Sequence, residues 1–435
     1  MNEPNEEIQI CKSLFKLKND EIEIEIKGEI TYKWFPEVRA EFAGILISNG
    51  KIFFQRKNLD YFNFLHNDVN IGEFFITNTE IKSSSKDIFI KGIFTKNLLF
   101  GDKSINVEKV FFTIPNLKSF FGNTVRFNNN KGSSNTRLNF KNKNYSIDID
   151  KALNYDERLK KLQSKGGFLT LYSGVLKKNT GNISIEDSRK TFECFDMFIT
   201  FLMGRRISTT FHKGILNEKD EWSDYSKKTN EIYKKPESWT LNYSIDGINE
   251  LYQEFSLLWE SEDDRDFLKT LIHWYIEANN NSGYIEGSII MAQTALELIY
   301  NWLLIEKRQL IMGNDALNLS ASNKIRLLLS EIQVGKNIPE SLNHLQDLIS
   351  SCNDYKSNDA PEMIVQIRNA IIHSQLKKRK KLSAITIQAK AEALKLYIWY
   401  IELSILYILK YKGRYTNRCS KESFPEDRET DVPWI

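Results

Sequence analysis

The residues best suited to chemistry lie close together near residue 370, where Arg368, Asn369 and His373 share one apolar segment. RNA cleavage without a metal needs a base for the 2′-hydroxyl proton and an acid for the leaving 5′-oxygen. Histidine titrates near neutral pH and can fill either role. Arginine carries a permanent fork of donors that suits the charge developing on a phosphorane. Asn369 adds a neutral amide able to orient the histidine or the phosphate.

The spacing of Arg368 and His373 keeps the two side chains apart on a helix. Five positions correspond to about 140° in azimuth and about 7–8 Å along the helix axis. The two residues therefore cannot form one tight pair, but both can line an edge near the helix end. In a twofold homodimer this edge would meet its own copy, because an isologous interface brings the same patch together twice. The spacing is compatible with a composite site built from two chains.

A run of basic residues, Lys377–Lys381, begins shortly after the histidine, beyond Leu376. The whole chain has 60 Lys and Arg against 57 Asp and Glu, which is a net charge of +3. Its global field is weak, so a nucleic-acid contact must come from a local patch. Such a run is suited to hold an RNA backbone. We therefore assign RNA binding to Lys377, Lys378, Arg379 and Lys380.

The spacing of an arginine and a histidine is not specific by itself. Arg206 and His212 satisfy the same loose pattern, and in a chain of this composition one chance match is about as likely as not. Context separates the pairs, because Ser208–Phe211 is patterned as a strand whereas Arg368 precedes a polar residue on a helix. The alternative for Arg368 and His373 stays open: a salt-bridged surface arginine and a satisfied histidine at a helix end.

The elements around the motif are predicted to be helical from about residue 246. The apolar periodicity predicts an all-α domain over 246–418, followed by an irregular C-terminal tail at 419–435. Glu286 and Glu297 lie on the first long helix that precedes the motif. We expect one of them to form a salt bridge with Arg368.

The first 245 residues are patterned as strands. Ile22, Ile24 and Ile26 alternate with glutamates, and the alternation resumes at Ile30 after Gly28, which predicts a pair of half-buried strands. We expect a sandwich-like sheet over 1–245, with a small α/β subdomain from about residue 165. The predicted fold class is α+β.

Two helix starts carry capping signals. Ser184 precedes a predicted helix that begins at Ile185 and has Asp187 in its first turn. Ser261 stands in the same relation to Asp264. A serine followed three residues later by an acidic residue is typical of a helix N-terminus.

Composition argues against several classes of protein. The four cysteines are far apart in the sequence: Cys11, Cys194, Cys352 and Cys419. They form no C-x-x-C pair, so neither a zinc ribbon nor a disulfide framework is indicated, and a reducing cytoplasm is expected. No H-E-x-x-H motif or phosphate loop occurs, so we predict no cofactor and no metal. Leu394–Leu409 is apolar but contains Lys395 and Glu402, which suits a helix better than a membrane span.

The motif segment Val365–His373 resembles the R-polar-x-x-x-H signature of HEPN domains. The surrounding order is similar too: Gln293–Glu297 on a long helix and Asn323–Leu328 precede the motif, and a closing helix with Tyr411–Tyr415 follows it. With its β-rich N-terminal half, the chain resembles the ApeA-like group of bacterial HEPN proteins. The C-terminal likeness covers roughly residues 283–418. The N-terminal half is similar to that group only in being rich in predicted strands.

This resemblance implies a bundle of about four or five helices that dimerises and cleaves RNA, commonly as a toxin or abortive-infection effector against phage. The products would be a 2′,3′-cyclic phosphate and a 5′-hydroxyl. Carried onto this sequence, Arg368 and His373 would be catalytic and Asn369 would be the supporting polar residue. The N-terminal half would serve as a sensor or regulatory region for a phage-derived trigger.

Two functional hypotheses remain. The first is a metal-independent endoribonuclease that acts as a homodimer or higher homo-oligomer in the cytoplasm, with transfer RNA as the target to test first. The second is a catalytically inactive HEPN-like bundle that binds RNA or protein, or serves in assembly. Retention of Arg368, Asn369 and His373 together favours the enzyme, because a scaffold has no need of the set.

Overall fold

The computed structural model describes residues 3–47, 61–81, 87–126, 133–235, 237–240, 247–280, 284–351, 357, 359–372, 383–422, 424 and 426–435. The chain forms two units. The first comprises 1–118, 123–196 and 206–235, and the second comprises 119–122, 197–205 and 236–435. Strands dominate the first and helices the second, so the predicted α+β class is confirmed.

The first strands of the β-rich unit close into a barrel. They are β1 (Ile8–Lys18), β2 (Glu23–Lys33), β3 (Arg39–Leu46), β4 (Tyr61–His66), β5 (Val69–Ile81) and β6 (Ile88–Gly101). The order is β3-β2-β1-β4-β5-β6, and β6 pairs back with β3. These strands therefore form a closed sheet instead of the two facing sheets of a sandwich, and closure removes exposed strand edges. Aromatic side chains that are at most 1% exposed fill the interior: Phe15, Phe42, Phe64 and Phe74.

Gly28 lies inside β2 and does not separate two strands. It pairs with Gly44 of β3, and a Cβ atom at Gly28 would lie 2.5 Å from the Cα of Gly44. The glycine permits a close approach of two backbones, which is a known use of glycine within strands. The predicted strand pair is wrong for this reason, because the alternation continues through the glycine in one strand.

The same sheet extends beyond the barrel. Its further strands are β7 (Lys109–Pro115), β8 (Asn123–Arg126), β9 (Ser133–Lys141), β10 (Tyr145–Lys151), β11 (Thr170–Lys178), β12 (Thr210–Leu216) and β13 (Lys219–Asp224). They follow β6 in the order β13-β12-β7-β11-β10-β9-β8. Because β7 pairs with both β11 and β12, the segment from residue 165 shares this sheet and is not the separate subdomain that we expected. Two helices belong to this part of the chain, α1 (Tyr155–Lys165) and α2 (Ile185–Met203).

The helical unit contains the elements around the motif. They are α3 (Ile248–Glu260), α4 (Glu262–Asn279), α5 (Ile285–Tyr300), α6 (Gly313–Asn318), α7 (Ala321–Glu331), α8 (Asn343–Ser351), α9 (Ala360–Ile372) and α10 (Ile387–Ile408). A π-helical segment, Asn301–Lys307, continues α5. The combined helix Ile285–Lys307 has the length and composition of a membrane span, but 61% of its apolar window is buried inside the protein, as in a core helix.

Both predicted capping pairs are confirmed. The backbone N–H of Asp187 donates to Ser184 Oγ at 3.0 Å. The N–H of Asp264 donates to Ser261 Oγ at 3.4 Å. Each serine thus satisfies one backbone donor that the first turn of a helix leaves unpaired.

The C-terminal segment 419–435 is part of the helical unit. Its described residues are irregular, as expected, except for a short 3-10 turn and one short strand. Strand β14 (Arg414–Thr416) pairs with β15 (Glu429–Asp431). The side chains of Cys419 and Val432 are buried. Burial of apolar side chains holds the segment in place, a contribution that a short irregular sequence does not reveal by periodicity.

Candidate active site

The motif helix α9 is anchored at its N-terminus. The N–H of Glu362 donates to Asp359 Oδ1 at 3.0 Å, so Asp359 caps the helix. Arg326 of α7 donates to both oxygens of Asp359, at 2.6 and 3.0 Å, and to Glu362 at 2.7 Å. Burial works to raise the pKa of Asp359, but the bonds from Arg326 and the helix N–H outweigh it and lower that pKa. The start of α9 is therefore held firmly against α7.

One face of α9 is fully buried. Met363, Ile364 and Ile367 are 0% exposed and follow the spacing of a core-facing stripe. This burial fixes the rotation of the helix, because turning it would expose these side chains. Arg368 and Asn369 come directly after the stripe and are only half buried. The helix thus presents both polar motif residues at the border of the core.

Among the described residues, the guanidinium of Arg368 makes few hydrogen bonds. Its Nη1 donates to Asn369 Oδ1 at 3.2 Å. Its Nε is buried and has no hydrogen-bond partner among the described residues. Buried donors are nearly always satisfied, so this atom is an exception that calls for an acceptor.

A buried polar network lies beside Arg368. Tyr397 of α10 donates its hydroxyl to Gln293 Oε1 at 2.7 Å, and Gln293 Nε2 donates to Glu297 Oε1 at 2.9 Å. Gln293 and Tyr397 are at most 1% exposed. Burial raises the pKa of Tyr397, the charge of Arg368 opposes that rise, and Glu297 adds to it. The network ties α5 to α10 at the level of the motif.

The predicted salt bridge to Arg368 is wrong within the described residues. Glu286 pairs instead with Lys390 at 2.7 Å. Glu297 accepts from Gln293 and makes no ion pair with Arg368. Among the described residues, the guanidinium of Arg368 therefore has no carboxylate partner.

The structure brings together Arg368 and Asn369 of the predicted site. The predicted catalytic His373 lies outside the described residues. The same holds for the predicted RNA-binding residues Lys377, Lys378, Arg379 and Lys380.

The second arginine–histidine pair, Arg206 and His212, makes structural contacts. His212 is 1% exposed, stacks on Phe192 with ring centroids 4.1 Å apart, and shares a hydrogen bond with Thr209 Oγ1 at 2.9 Å. Burial lowers the pKa of His212 to about 3, so the imidazole is neutral at physiological pH. Arg206 pairs with Glu231 at 3.1 Å. The strand predicted over Ser208–Phe211 is confirmed in part, because β12 begins at Thr210. The catalytic role of the motif stays a prediction.

Sequence reasoning missed two contributors to the site. One is the fork of Arg326 that anchors α9, and the other is the buried pair of Gln293 and Tyr397. The sequence signal for the second was the presence of polar side chains at positions facing the core of two long helices. Such residues are rarely buried without a specific partner.

Fold and site together define an α+β protein with a β-barrel unit and a helical unit that contains a half-buried arginine, Arg368. Among known proteins, the family model described as the YopA C-terminal domain matches residues 261–429, and that of the YopA central domain matches residues 102–236. The SPbeta prophage-derived uncharacterized protein YopA of Bacillus subtilis (strain 168) is 25% identical over 438 residues, 99% of this chain and 95% of the relative. No solved structure matches the chain. These matches do not bear on the HEPN resemblance, which stays a prediction.

Proposed function

We propose that the chain is a metal-independent endoribonuclease of the HEPN type, which acts as a toxin or abortive-infection effector in anti-phage defence. The observation that supports this proposal is the state of Arg368. Its Nε is buried without a hydrogen-bond partner, and no carboxylate neutralises it, in the part of the chain that the structure describes. An unsatisfied buried donor costs free energy, and a phosphate oxygen is a strong acceptor that would relieve this cost.

In the proposed reaction His373 of one chain accepts the proton of the 2′-hydroxyl. The 2′-oxygen attacks the adjacent phosphorus, and the bond from phosphorus to the 5′-oxygen breaks. His373 of a second chain donates a proton to that 5′-oxygen. Arg368 stabilises the charge on the phosphorane, and Asn369 orients the groups around it. The products are a 2′,3′-cyclic phosphate and a 5′-hydroxyl.

The proposed enzyme is a homodimer or higher homo-oligomer in the cytoplasm, because one motif helix supplies half of the site. Lys377, Lys378, Arg379 and Lys380 would hold the RNA backbone, with transfer RNA as the first substrate to test. The β-rich half would act as the sensor of a phage-derived trigger. The relative in Bacillus subtilis is named as prophage-derived, and a function in phage biology is compatible with that name.

The test is cleavage of labelled RNA by the purified full chain in the presence of EDTA. Arg368→Ala and His373→Ala should each reduce the rate at least about a hundredfold, the scale of a lost proton-transfer or charge-stabilising group. The matched controls are Arg265→Ala on α4 and His344→Ala on α8, which remove the same side chains elsewhere in the helical unit. Undiminished cleavage by the Arg368→Ala/His373→Ala double variant would contradict the proposal.

A second candidate is a binding or assembly module without turnover. It is favoured by the hydrogen bond between Arg368 Nη1 and Asn369 Oδ1 at 3.2 Å, since a purely structural arginine makes such local bonds. This function predicts that RNA binds and is recovered uncut. It also predicts that any toxicity on expression in bacteria survives His373→Ala.

A further inference from the structure

A cavity of about 830 Å³ opens in the helical unit, where the end of the π-helical segment meets the end of α10. Its volume lies within the range of about 300–1000 Å³ typical of small-molecule sites. Apolar residues including Leu258 and Leu303 line it together with cationic residues. Of the motif residues that the structure describes, neither Arg368 nor Asn369 lines this cavity.

The π-helical segment Asn301–Lys307 shapes the cavity. The N–H of Arg308 donates to Leu303 O at 3.0 Å, which is the wider turn of a π-helix. Trp302, Leu303 and Lys307 from this segment all line the cavity. π-Helical turns are rare and occur frequently at functional sites, so a functional reason for this one is expected.

The aromatic side chains of the cavity are held in fixed orientations. Trp302 stacks on Phe267 with centroids 4.3 Å apart and planes 7° apart, and its Nε1 donates to Asp264 Oδ1 at 3.0 Å. Trp434 packs edge-on against Tyr407 at 5.3 Å, and its Nε1 donates to a backbone oxygen at 2.7 Å. Rings that are already ordered bind a planar group with little further loss of entropy.

Cationic side chains are also present in the described lining of the cavity. They are Lys307, Arg308, Lys410 and Lys412, and Asp264 lies beside them. Three of these cations are paired with carboxylates: Lys307 with Asp264 at 2.7 Å, Arg308 with Glu331 at 3.2 Å and Lys410 with Glu254 at 2.7 Å. Lys412 is exposed and makes no ion pair among the described residues. Its charge therefore favours an anionic ligand.

We infer that this cavity binds a small planar anion of the nucleoside phosphate class. Trp302 is only 7% exposed and its ring is already covered by Phe267 and by the ammonium of Lys307. The base would therefore lie against the half-buried ring of Trp434, and the phosphate would meet the exposed ammonium of Lys412. A nucleoside alone would leave Lys412 without a counterion, and inorganic phosphate alone would leave the Trp434 ring in water. This inference is independent of the proposed ribonuclease activity.

The test is isothermal titration calorimetry of the full chain with each of the four nucleoside 5′-monophosphates, followed by adenosine and inorganic phosphate as separate probes. We expect saturable binding of at least one nucleotide with one site per chain. We expect at least tenfold weaker binding of adenosine and of phosphate, which corresponds to about 1.4 kcal/mol. Absence of nucleotide binding at millimolar concentration overturns the inference, as does phosphate binding as tight as that of the nucleotide.

Two variants locate the site. Lys412→Glu reverses an exposed charge at the rim and should raise the dissociation constant about tenfold or more, and Trp434→Leu should do the same by removing a ring. The control is Lys177→Glu, which makes the same charge change on β11, where its cross-strand neighbour is Lys109. Thermal melting of each variant establishes that it is folded. Unchanged affinity in Lys412→Glu, which removes no buried group, refutes the location.

Discussion

The buried ion pair between Glu402 and Arg418 is the contact whose disruption we expect to destabilise the helical unit most. The side chain of Glu402, on α10, is 0% exposed and that of Arg418 is 11% exposed. Arg418 donates to both carboxylate oxygens, at 2.7 and 2.8 Å, and Tyr275 adds a third hydrogen bond to Glu402 at 2.6 Å. Arg418 also donates to Asn279 Oδ1 at 2.9 Å. Among the described residues, the donors that compensate this carboxylate are therefore those of Arg418 and Tyr275.

Arg418→Met should lower the free energy of unfolding by about 3–5 kcal/mol, because it leaves a buried carboxylate with one remaining donor. Removing the charge as well should restore much of this loss. In the double variant Glu402→Gln/Arg418→Met, the amide oxygen still accepts from Tyr275 and no charge is buried. We expect the double variant to be at least about 2 kcal/mol more stable than the single one.

The measurement is urea unfolding of the full chain followed by far-ultraviolet circular dichroism, which reports mainly the helices. The control is Arg414→Met, because Arg414 pairs with Glu429 at 3.2 Å but is 54% exposed, and an exposed pair contributes about 1 kcal/mol at most. Two results would refute the reasoning. One is an Arg418→Met variant no less stable than the control, and the other is a double variant no more stable than Arg418→Met.

The remaining predictions concern the anchoring of the site and the pH dependence of stability. Arg326→Met should destabilise by about 1–2 kcal/mol, since the pair with Asp359 is partly exposed, and amide hydrogen exchange in α9 should become faster. Tyr397→Phe should cost about 1–2 kcal/mol in urea unfolding, because buried Gln293 loses its donor. Burial lowers the pKa of His212 from 6.5 to about 3 in the folded protein. The contribution of the neutral ring to the free energy of unfolding is therefore fully present above about pH 6.5 and is lost as the pH falls towards 3. The stability difference between the wild type and His212→Gln should therefore shrink by about 1.4 kcal/mol per pH unit between pH 6 and 4, and a constant difference would contradict this.

The sequence alone determined the class of fold and several boundaries of the elements. Alternation with period two and the helical stripe are local patterns, so the division into a β-rich and a helical part was readable from them. The capping pairs at Ser184 and Ser261 marked helix starts because a cap acts on the backbone within three residues. The prediction that Arg368 and Asn369 lie on a helix is confirmed, because the apolar periodicity around them is also a local pattern.

Tertiary structure decided what depends on partners distant in sequence. The pairing of β6 with β3 closes the barrel, and the approach of Gly28 to Gly44 turns an expected break into a continuous strand. Neither event has a local signal, because both join residues far apart in the chain. The sequence placed Glu402 as a charge interrupting an apolar helix, whereas the fold buries that carboxylate completely. Only the folded chain brings Arg418 and Tyr275 to it, and their hydrogen bonds are what make a buried charge tolerable.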